Sequence, residues 1–122
     1  LEELRDAASV PALVAFLREP DAEITEVATE ALRTLTGRVL GTFRWSMWLR
    51  ANERRARFHW LTDALTQWDS ELRSLASVEL VRLTGIGRPL GKDATRAEAK
   101  GLEAHYLQYW ADEMRQLGGI PS

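Results

Sequence analysis

The chain has 122 residues, of which 45% are hydrophobic and 28% are charged, and its formal net charge is −2 at pH 7. This length suits one domain, and the slightly acidic balance argues against a general nucleic-acid binder, whose surface is normally basic. The absence of cysteine excludes a disulfide framework and thiolate chemistry, and it slightly favours a cytoplasmic location. No apolar run approaches the roughly 18 residues of a membrane span. Because the first residue is Leu1 rather than Met, we expect an excerpt or a processed form.

The sequence contains two copies of one unit. The tripeptide Leu-Thr-Gly at 35–37 recurs at 83–85, which is an offset of 48 residues. With the same offset and no gap, further residues coincide: Leu13 with Leu61, Leu17 with Leu65, Asp21 with Asp69, Glu23 with Glu71, Ala28 with Ala76, and Leu32 with Leu80. Such in-phase identity is typical of repeat architectures. We therefore divide a single domain, residues 1–122, into repeat 1 at about 9–57 and repeat 2 at about 58–118.

The first copy predicts a pair of helices. Ser9 is a suitable N-cap for the first helix, and Pro11 is tolerated in its first turn. After a break, Asp21 is placed to cap the second helix, and Gly37 is placed to end it in a left-handed conformation. Between them runs an apolar stripe of helical period, which we expect to face the core: Ile24, Val27, Ala28, Ala31, Leu32 and Leu35.

Each copy continues into an additional helix that carries aromatic residues. In the first copy Leu40 and Gly41 precede a helix with Trp45 and Trp48. In the second copy Thr95-Arg96-Ala97-Glu98 has the spacing of a capping box. One face of the helix that follows carries Leu102, Tyr106, Trp110, Met114 and Leu117. We expect the aromatic side chains to fill the space between repeats or to cover the end of the stack. An exposed aromatic platform for a ligand is the alternative.

The stretches VPALVAFLREPDAEITEVATEALRTLTG and WLTDALTQWDSELRSLASVELVRLTG resemble HEAT repeats. The pattern LTG-x-x-LG followed by a tryptophan-bearing helix resembles an element of some bacterial HEAT-repeat proteins. The resemblance implies an all-α fold, a right-handed α-solenoid fragment of two HEAT-like helical repeats, each followed by an extra aromatic helix. It also implies a non-catalytic protein-protein interaction or scaffold module of a larger HEAT-repeat protein.

The stretch LTGIGRPLGKD at 83–93 raises the question of a phosphate-binding loop. A Walker A loop requires a glycine five residues before Gly91 and a Ser or Thr after the lysine, but Ile86 and Asp93 stand at these positions. The loop would also follow a strand, whereas the preceding apolar run has helical period. Leu90 likewise replaces the third glycine of a dinucleotide-binding fingerprint. We interpret the stretch as a structural turn between helices.

The remaining polar residues give no pattern of catalysis. His59 and His105 are the only histidines, and neither has the spacing of a metal-binding motif. We therefore predict no catalytic residues, no metal site, no cofactor and no enzyme activity. Glu79 occupies, in the second copy, the position of Ala31 on the apolar stripe. It is expected either to reach solvent at the stripe's edge or to pair with an arginine from the third helix.

Charge is distributed unevenly along the chain. Residues 1–32 carry a formal charge of −6, whereas residues 33–57 carry +6, with seven arginines against Glu53. Arginines interleaved with aromatic residues suit the recognition of phosphate or carboxylate groups. The alternative, which we favour, is that these arginines face solvent or the acidic faces of neighbouring repeats.

The candidate binding residues fall into two groups, and a protein partner is the primary prediction. An inner surface on the second helices is expected to contain Glu26, Glu30, Arg33, Arg73 and Ser77. An acidic partner or, less favoured, a nucleic-acid backbone is expected to contact Arg50, Arg54, Arg55 and Arg57. Two other HEAT-like classes remain as alternatives. A DNA glycosylase requires the arginines and tryptophans to converge on one groove near a carboxylate, and a bilin lyase requires a large apolar pocket for its chromophore.

Overall fold

The computed structural model describes residues 7–118, and within that range it contains helices and no strand. After a short 3-10 turn at Ala7–Ser9, the elements are α1 (Val10–Phe16), α2 (Ala22–Thr36), α3 (Thr42–Asn52), α4 (Arg57–Ala64), α5 (Ser70–Thr84) and α6 (Arg96–Gly118). With the division expected from the sequence, repeat 1 supplies α1 to α3 and repeat 2 supplies α4 to α6. The all-α fold is confirmed, and its organisation is that of an α-solenoid fragment.

The two long helices, α2 and α5, begin and end in the same way. The side chains of Asp21 and Asp69 each accept a 2.9 Å hydrogen bond from the backbone amide two residues later, which satisfies a donor that the helix leaves unpaired. Gly37 and Gly85 follow the last turns with φ of 70° and 75°. The predicted caps and helix-ending glycines are therefore confirmed.

The starts of α6 and α1 differ in how well the sequence predicted them. Before α6, the Thr95 amide donates to the Glu98 carboxylate, and the Glu98 amide donates to the Thr95 hydroxyl, both at 3.1 Å. This is the expected capping box. Ser9 stands at the predicted N-cap position of α1, but its side chain makes no capping hydrogen bond there, because the chain enters α1 from a 3-10 turn and Ser9 already has helical backbone angles.

The helices form two layers. α1 packs on α2, α4 packs on α5, and α2 contacts both α4 and α5, so α2 joins the repeats. The first helices, α1 and α4, form one layer, and the second helices, α2 and α5, form the other. α3 packs on α1 and α6 packs on α4, so both additional helices lie against the first-helix layer. Each repeat has its own apolar cluster.

Aromatic side chains fill the joints, as predicted. Trp48 packs edge-on against both Trp45 and Trp60, with ring centroids 5.7 and 5.1 Å apart. Phe58 stacks on Trp110 at 4.5 Å. Since Trp60 lies on α4 but packs in the cluster of repeat 1, these contacts extend the core across the boundary between repeats.

The apolar stripe of α2 is only partly covered. Ala28, Leu32 and Leu35 are buried, but Ile24 and Val27 are 40% and 56% exposed. The prediction that the whole stripe faces the core is wrong for these two residues. They lie in the first turns of α2, whereas α4 and α5 of repeat 2 pack near its other end.

The predicted apolar face of α6 is also covered only in part. Tyr106 is fully buried, while Met114 and Leu117 are 42% and 77% exposed. The difference follows from length, because α6 has 23 residues and α4, on which it packs, has eight. Its last turns extend beyond the helix that covers the rest.

Candidate interaction surfaces

Three of the predicted binding residues form one row, which we call the α2 ridge: Glu26, Glu30 and Arg33. Their spacing of four and three residues places them on one face of α2. Glu26 and Glu30 are exposed and Arg33 is partly buried. Arg33 lies 3.9 Å from Glu30 and 3.4 Å from Glu71 of α5, which in turn lies 3.7 Å from Lys92. The ridge therefore continues onto repeat 2 through a chain of charged groups.

The predictions for Arg73 and Ser77 are wrong, because both residues are buried. Arg73 donates to the carbonyls of Gln67 and Trp68 at 2.7 and 2.9 Å. The Ser77 hydroxyl accepts a 2.7 Å hydrogen bond from the amide of Leu90. The connection before α6 packs over α5 here, whereas the equivalent connection after α2 is much shorter and leaves α2 open. LTGIGRPLGKD is thus a structural segment that covers a helix.

Arg57 lies inside the joint between the repeats. Its guanidinium donates to the carbonyls of Leu35 and Thr34 at 2.9 and 3.0 Å, and to the Glu79 carboxylate at 2.8 Å. Glu79 is 3% exposed and also accepts from Arg82 at 3.2 Å. The predicted pairing of Glu79 with an arginine is confirmed, although Arg57 begins α4 and does not belong to the third helix.

The position of this guanidinium has an electrostatic reason. The last carbonyls of a helix lack helical partners and carry a partial negative charge. Arg57 donates to two such carbonyls at the end of α2 and also neutralises the buried carboxylate of Glu79. Removal of one partner from a buried pair typically costs about 3 to 5 kcal/mol. Arg57 is therefore a structural link between the repeats and is not available to a partner.

The other three arginines of the predicted binding group do not form one surface with Arg57. Arg55 donates to Asp63 at 2.7 Å and to Asn52 at 3.0 Å. Arg50 and Arg54 are exposed near the end of α3, and α3 packs in the first-helix layer, whereas the α2 ridge belongs to the second-helix layer. Arg54 and Trp60 line one open depression of about 340 Å³ together with Glu53. Its lining does not include the other three arginines, so the predicted group as a whole does not converge on one groove, as a glycosylase would require.

His59 has the environment of a packing residue. Its ring lies edge-on to Trp110, with centroids 4.9 Å apart. Burial lowers the pKa of His59 below its usual value of 6.5, the nearby positive charge of Arg55 lowers it further, and Asp63 partly opposes the shift. A neutral, packed imidazole agrees with the sequence-based interpretation.

Asp63 also acts across the contact between α4 and α6. Burial raises the pKa of Glu103 above its usual value of 4.5, and repulsion from Asp63 raises it further, while Lys100 lowers it. Both shifts arise from helix packing together with neighbouring charges. Within residues 7–118 no group of three or more His, Cys, Asp or Glu side chains could hold a metal ion.

Depressions on both repeats are open to solvent. An apolar one of about 310 Å³ lies on α1 and α2 and is lined by Leu13, Phe16, Asp21, Glu23, Ile24, Val27 and Ala28. A more polar cleft of about 590 Å³ lies between the connection before α6 and α6 itself, and it includes Arg88 and His105. Neither is the enclosed apolar pocket that a bilin lyase requires. Among the described helices, none is both long and apolar enough to cross a bilayer.

Comparison with known families supports the repeat architecture. Residues 2–37 match the family model of the Armadillo/beta-catenin-like repeat. The match includes α1 and α2, which form the helix pair of repeat 1. Searches of curated proteins and of solved structures give no significant match. The fold and this match define the class as a stack of helical repeats, a class that commonly serves as a scaffold for protein interactions.

Proposed function

We propose that the chain is a non-catalytic protein-interaction module that recognises its partner through the α2 ridge. The observation that carries the proposal is the exposed row of Glu26, Glu30 and Arg33, which continues to Glu71 and Lys92 on the neighbouring repeat. Packed helices hold these side chains in place before a partner binds. Binding therefore orders few groups of this chain and costs little conformational entropy. We further propose that the module works within a larger HEAT-like scaffold.

The charge of this region indicates the chemistry of the partner. The exposed side of α2 carries Glu23, Glu26 and Glu30, with Arg33 as its basic residue, and Glu71 lies beside it. A segment that presents Lys or Arg at helical spacing is complementary to this row. A nucleic-acid backbone, which is negatively charged, is repelled by this acidic row. Nucleic-acid binding through Arg50 and Arg54 has weaker support, because Arg55 and Arg57 already form ion pairs within the chain.

The test measures binding of three labelled probes by fluorescence anisotropy: an Ala-Lys helical peptide, its Ala-Glu equivalent, and a DNA duplex. We expect only the lysine peptide to bind, with an affinity that falls as salt rises. Because exposed pairs contribute about 0.2 to 1 kcal/mol each, the double substitution Glu26→Gln/Glu30→Gln should weaken binding about 2- to 30-fold.

Two carboxylates elsewhere provide the matched control. Glu53 follows α3 and Glu113 lies near the end of α6, and the double substitution Glu53→Gln/Glu113→Gln changes the net charge equally. It should leave binding of the lysine peptide unchanged. An equal loss with both double variants would mean that net charge alone attracts the peptide. Tight, salt-sensitive binding of the DNA duplex would favour the nucleic-acid alternative.

A further inference from the structure

The apolar depression on repeat 1 lies beside the α2 ridge and contains none of its three residues, and we call it the acceptor face. Phe16, Ile24 and Val27 form its exposed part, with exposures of 44%, 40% and 56%. Leu13 and Ala28 form its buried floor. Three large apolar side chains exposed side by side over a shallow depression form a patch that typically marks an interaction site.

Repeat 2 shows what covers this face. With the offset of 48 residues, the equivalents of Leu13, Phe16, Ile24 and Ala28 are Leu61, Ala64, Leu72 and Ala76, and all four are buried. The end of α2 lies on three of them, Leu61, Ala64 and Ala76. A Cβ added to Gly37 would lie 2.6 Å from the Cβ of Ala64, 3.7 Å from that of Ala76, and 4.0 Å from a methyl carbon of Leu61. The occupant of the face is therefore the C-terminal turn of a helix.

The polar groups at the edge of this interface indicate what the helix must carry. In repeat 2, Glu71 pairs with Arg33, four residues before Gly37, and the Gln67 side chain donates to the carbonyl of Gly37. The equivalent positions in repeat 1 are Glu23 and Glu19. A carboxylate at position 19 cannot donate to a helix-end carbonyl, and the helix end is itself negative. An occupant thus needs basic groups in its last turn.

We propose that the acceptor face binds the C-terminal turn of a helix from another repeat unit, one that carries Arg or Lys four residues before its closing residue. The apolar side of that turn covers Ile24 and Val27, and its basic side chain pairs with Glu23. Phe16 stands where repeat 2 has Ala64, so its ring occupies space into which Gly37 fits in repeat 2, and the occupant must lie further from α1 than Gly37 does.

A second copy of this chain meets these requirements poorly. Its α5 ends in Leu-Thr-Gly as α2 does, but Val81 stands in the place of Arg33. The neighbouring Arg82 already pairs with Glu79. An α5 end placed on the acceptor face would leave Glu19 and Glu23 without a basic partner, which is why we assign the face to a different, basic helix end.

The test uses a labelled peptide with the sequence of residues 20–41, held helical by a hydrocarbon staple between positions 26 and 30, and the intact chain. We expect the peptide to bind the chain. The substitution Val27→Asp should weaken binding about tenfold or more, because a buried valine contact is replaced by a charge. Val39→Asp is the matched control, since Val39 is also 56% exposed, and it should leave binding unchanged.

Charge exchange tests the basic residue. Glu23→Arg in the chain should weaken binding about fivefold, as expected for loss of an exposed ion pair, and a peptide with Arg33→Glu should restore it. Peptide binding that is equal for Val27→Asp and Val39→Asp, or absent altogether, would overturn the proposal. So would sedimentation that shows a dimer dissociated by Val27→Asp, because the occupant would then be a second copy. Glu26→Gln/Glu30→Gln in the chain should have no effect on this peptide, which separates the acceptor face from the α2 ridge.

Discussion

The last turns of α2 and α5 share a sequence and a backbone but not their surroundings. Each ends in Leu-Thr-Gly, and in each the glycine amide donates a 2.8 Å hydrogen bond to the carbonyl four residues earlier. Yet Leu35 is fully buried and Leu83 is 48% exposed. Local sequence thus determines how a helix ends, while the neighbouring repeat determines whether that end is covered.

At the starts of α2 and α5 the difference in burial is reversed. Leu72 is 5% exposed in repeat 2, whereas its equivalent Ile24 is 40% exposed in repeat 1. The end of α2 thus forms an interface with repeat 2 inside the chain. The equivalent helix end, that of α5, and the equivalent surface of repeat 1 are both exposed. Equivalent substitutions in the two repeats should therefore have unequal effects on stability.

The largest effect is expected from Arg57→Ala, which breaks the joint itself. It leaves Glu79 in a buried position with only Arg82 as a partner, and it removes donors from the α2 carbonyls. Loss of one partner of a buried pair should lower the free energy of unfolding by about 3 to 5 kcal/mol, as measured by urea denaturation.

The control for this prediction reproduces repeat 1, where Ala31 stands in the place of Glu79. Arg57→Met/Glu79→Ala removes both charges and should recover most of the loss, because no buried carboxylate then lacks its partner. If Arg57→Ala alone were as mild as an ordinary surface substitution, Arg57 would not link the repeats.

The next largest effect compares Leu72→Ala with Ile24→Ala. Leu72 is only 5% exposed, so its truncation should cost about 2 to 5 kcal/mol. Ile24 has lost less solvent contact on folding, and its truncation should cost less than about 1 kcal/mol. Thermal unfolding of both variants gives the comparison, and equal costs would show that the two faces are covered alike.

Alanine at the two helix-ending glycines separates backbone strain from crowding. Both glycines have positive φ, so Gly85→Ala should cost about 1 to 2 kcal/mol through its backbone alone. Gly37→Ala also forces a methyl group against Ala64, which should add about 1 to 3 kcal/mol. Chemical denaturation measures the difference, and a smaller loss at Gly37 would contradict the close contact.

The smallest effect concerns pH. His59 occupies in repeat 2 the position of Pro11 in repeat 1, and its pKa is lowered in the folded chain. The fold therefore favours the neutral imidazole, so its stabilising contribution is complete above pH 6.5 and is lost as pH falls through the lower folded pKa. The melting temperature should fall less for His59→Asn than for the unsubstituted chain between about pH 7.5 and about pH 5.5. An equal fall for both chains would show that folding does not lower the pKa of His59.

The sequence predicted those features that depend on neighbouring residues along the chain. Capping by Asp21 and Asp69, the glycine ends and the capping box all involve groups within a few residues of each other. The in-phase apolar positions likewise predicted the two helix pairs, because helical period is a local property.

Apart from the missing cap at Ser9, which has a local cause, the failures depend on the path of distant segments. Arg73 and Ser77 look exposed on a helical projection, but the connection that carries Leu90 folds back over them. Ile24 and Val27 have the period of core residues, yet the described segments leave them 40% and 56% exposed. The link that Arg57 forms between the repeats could not be predicted from neighbouring residues either, since its partners lie 22 or more residues away.

Native-state hydrogen exchange at two amides tests the central claim most directly, namely that repeat 2 covers the end of α2, whereas nothing of the same kind within residues 7–118 covers the end of α5. The amides of Gly37 and Gly85 make hydrogen bonds of the same length in the same local structure. The amide of Gly37 should exchange only when the chain opens almost completely, with an opening free energy close to that of global unfolding. The amide of Gly85 should exchange through local fraying of the helix end, with a much lower opening free energy. Equal protection of the two amides would contradict the account.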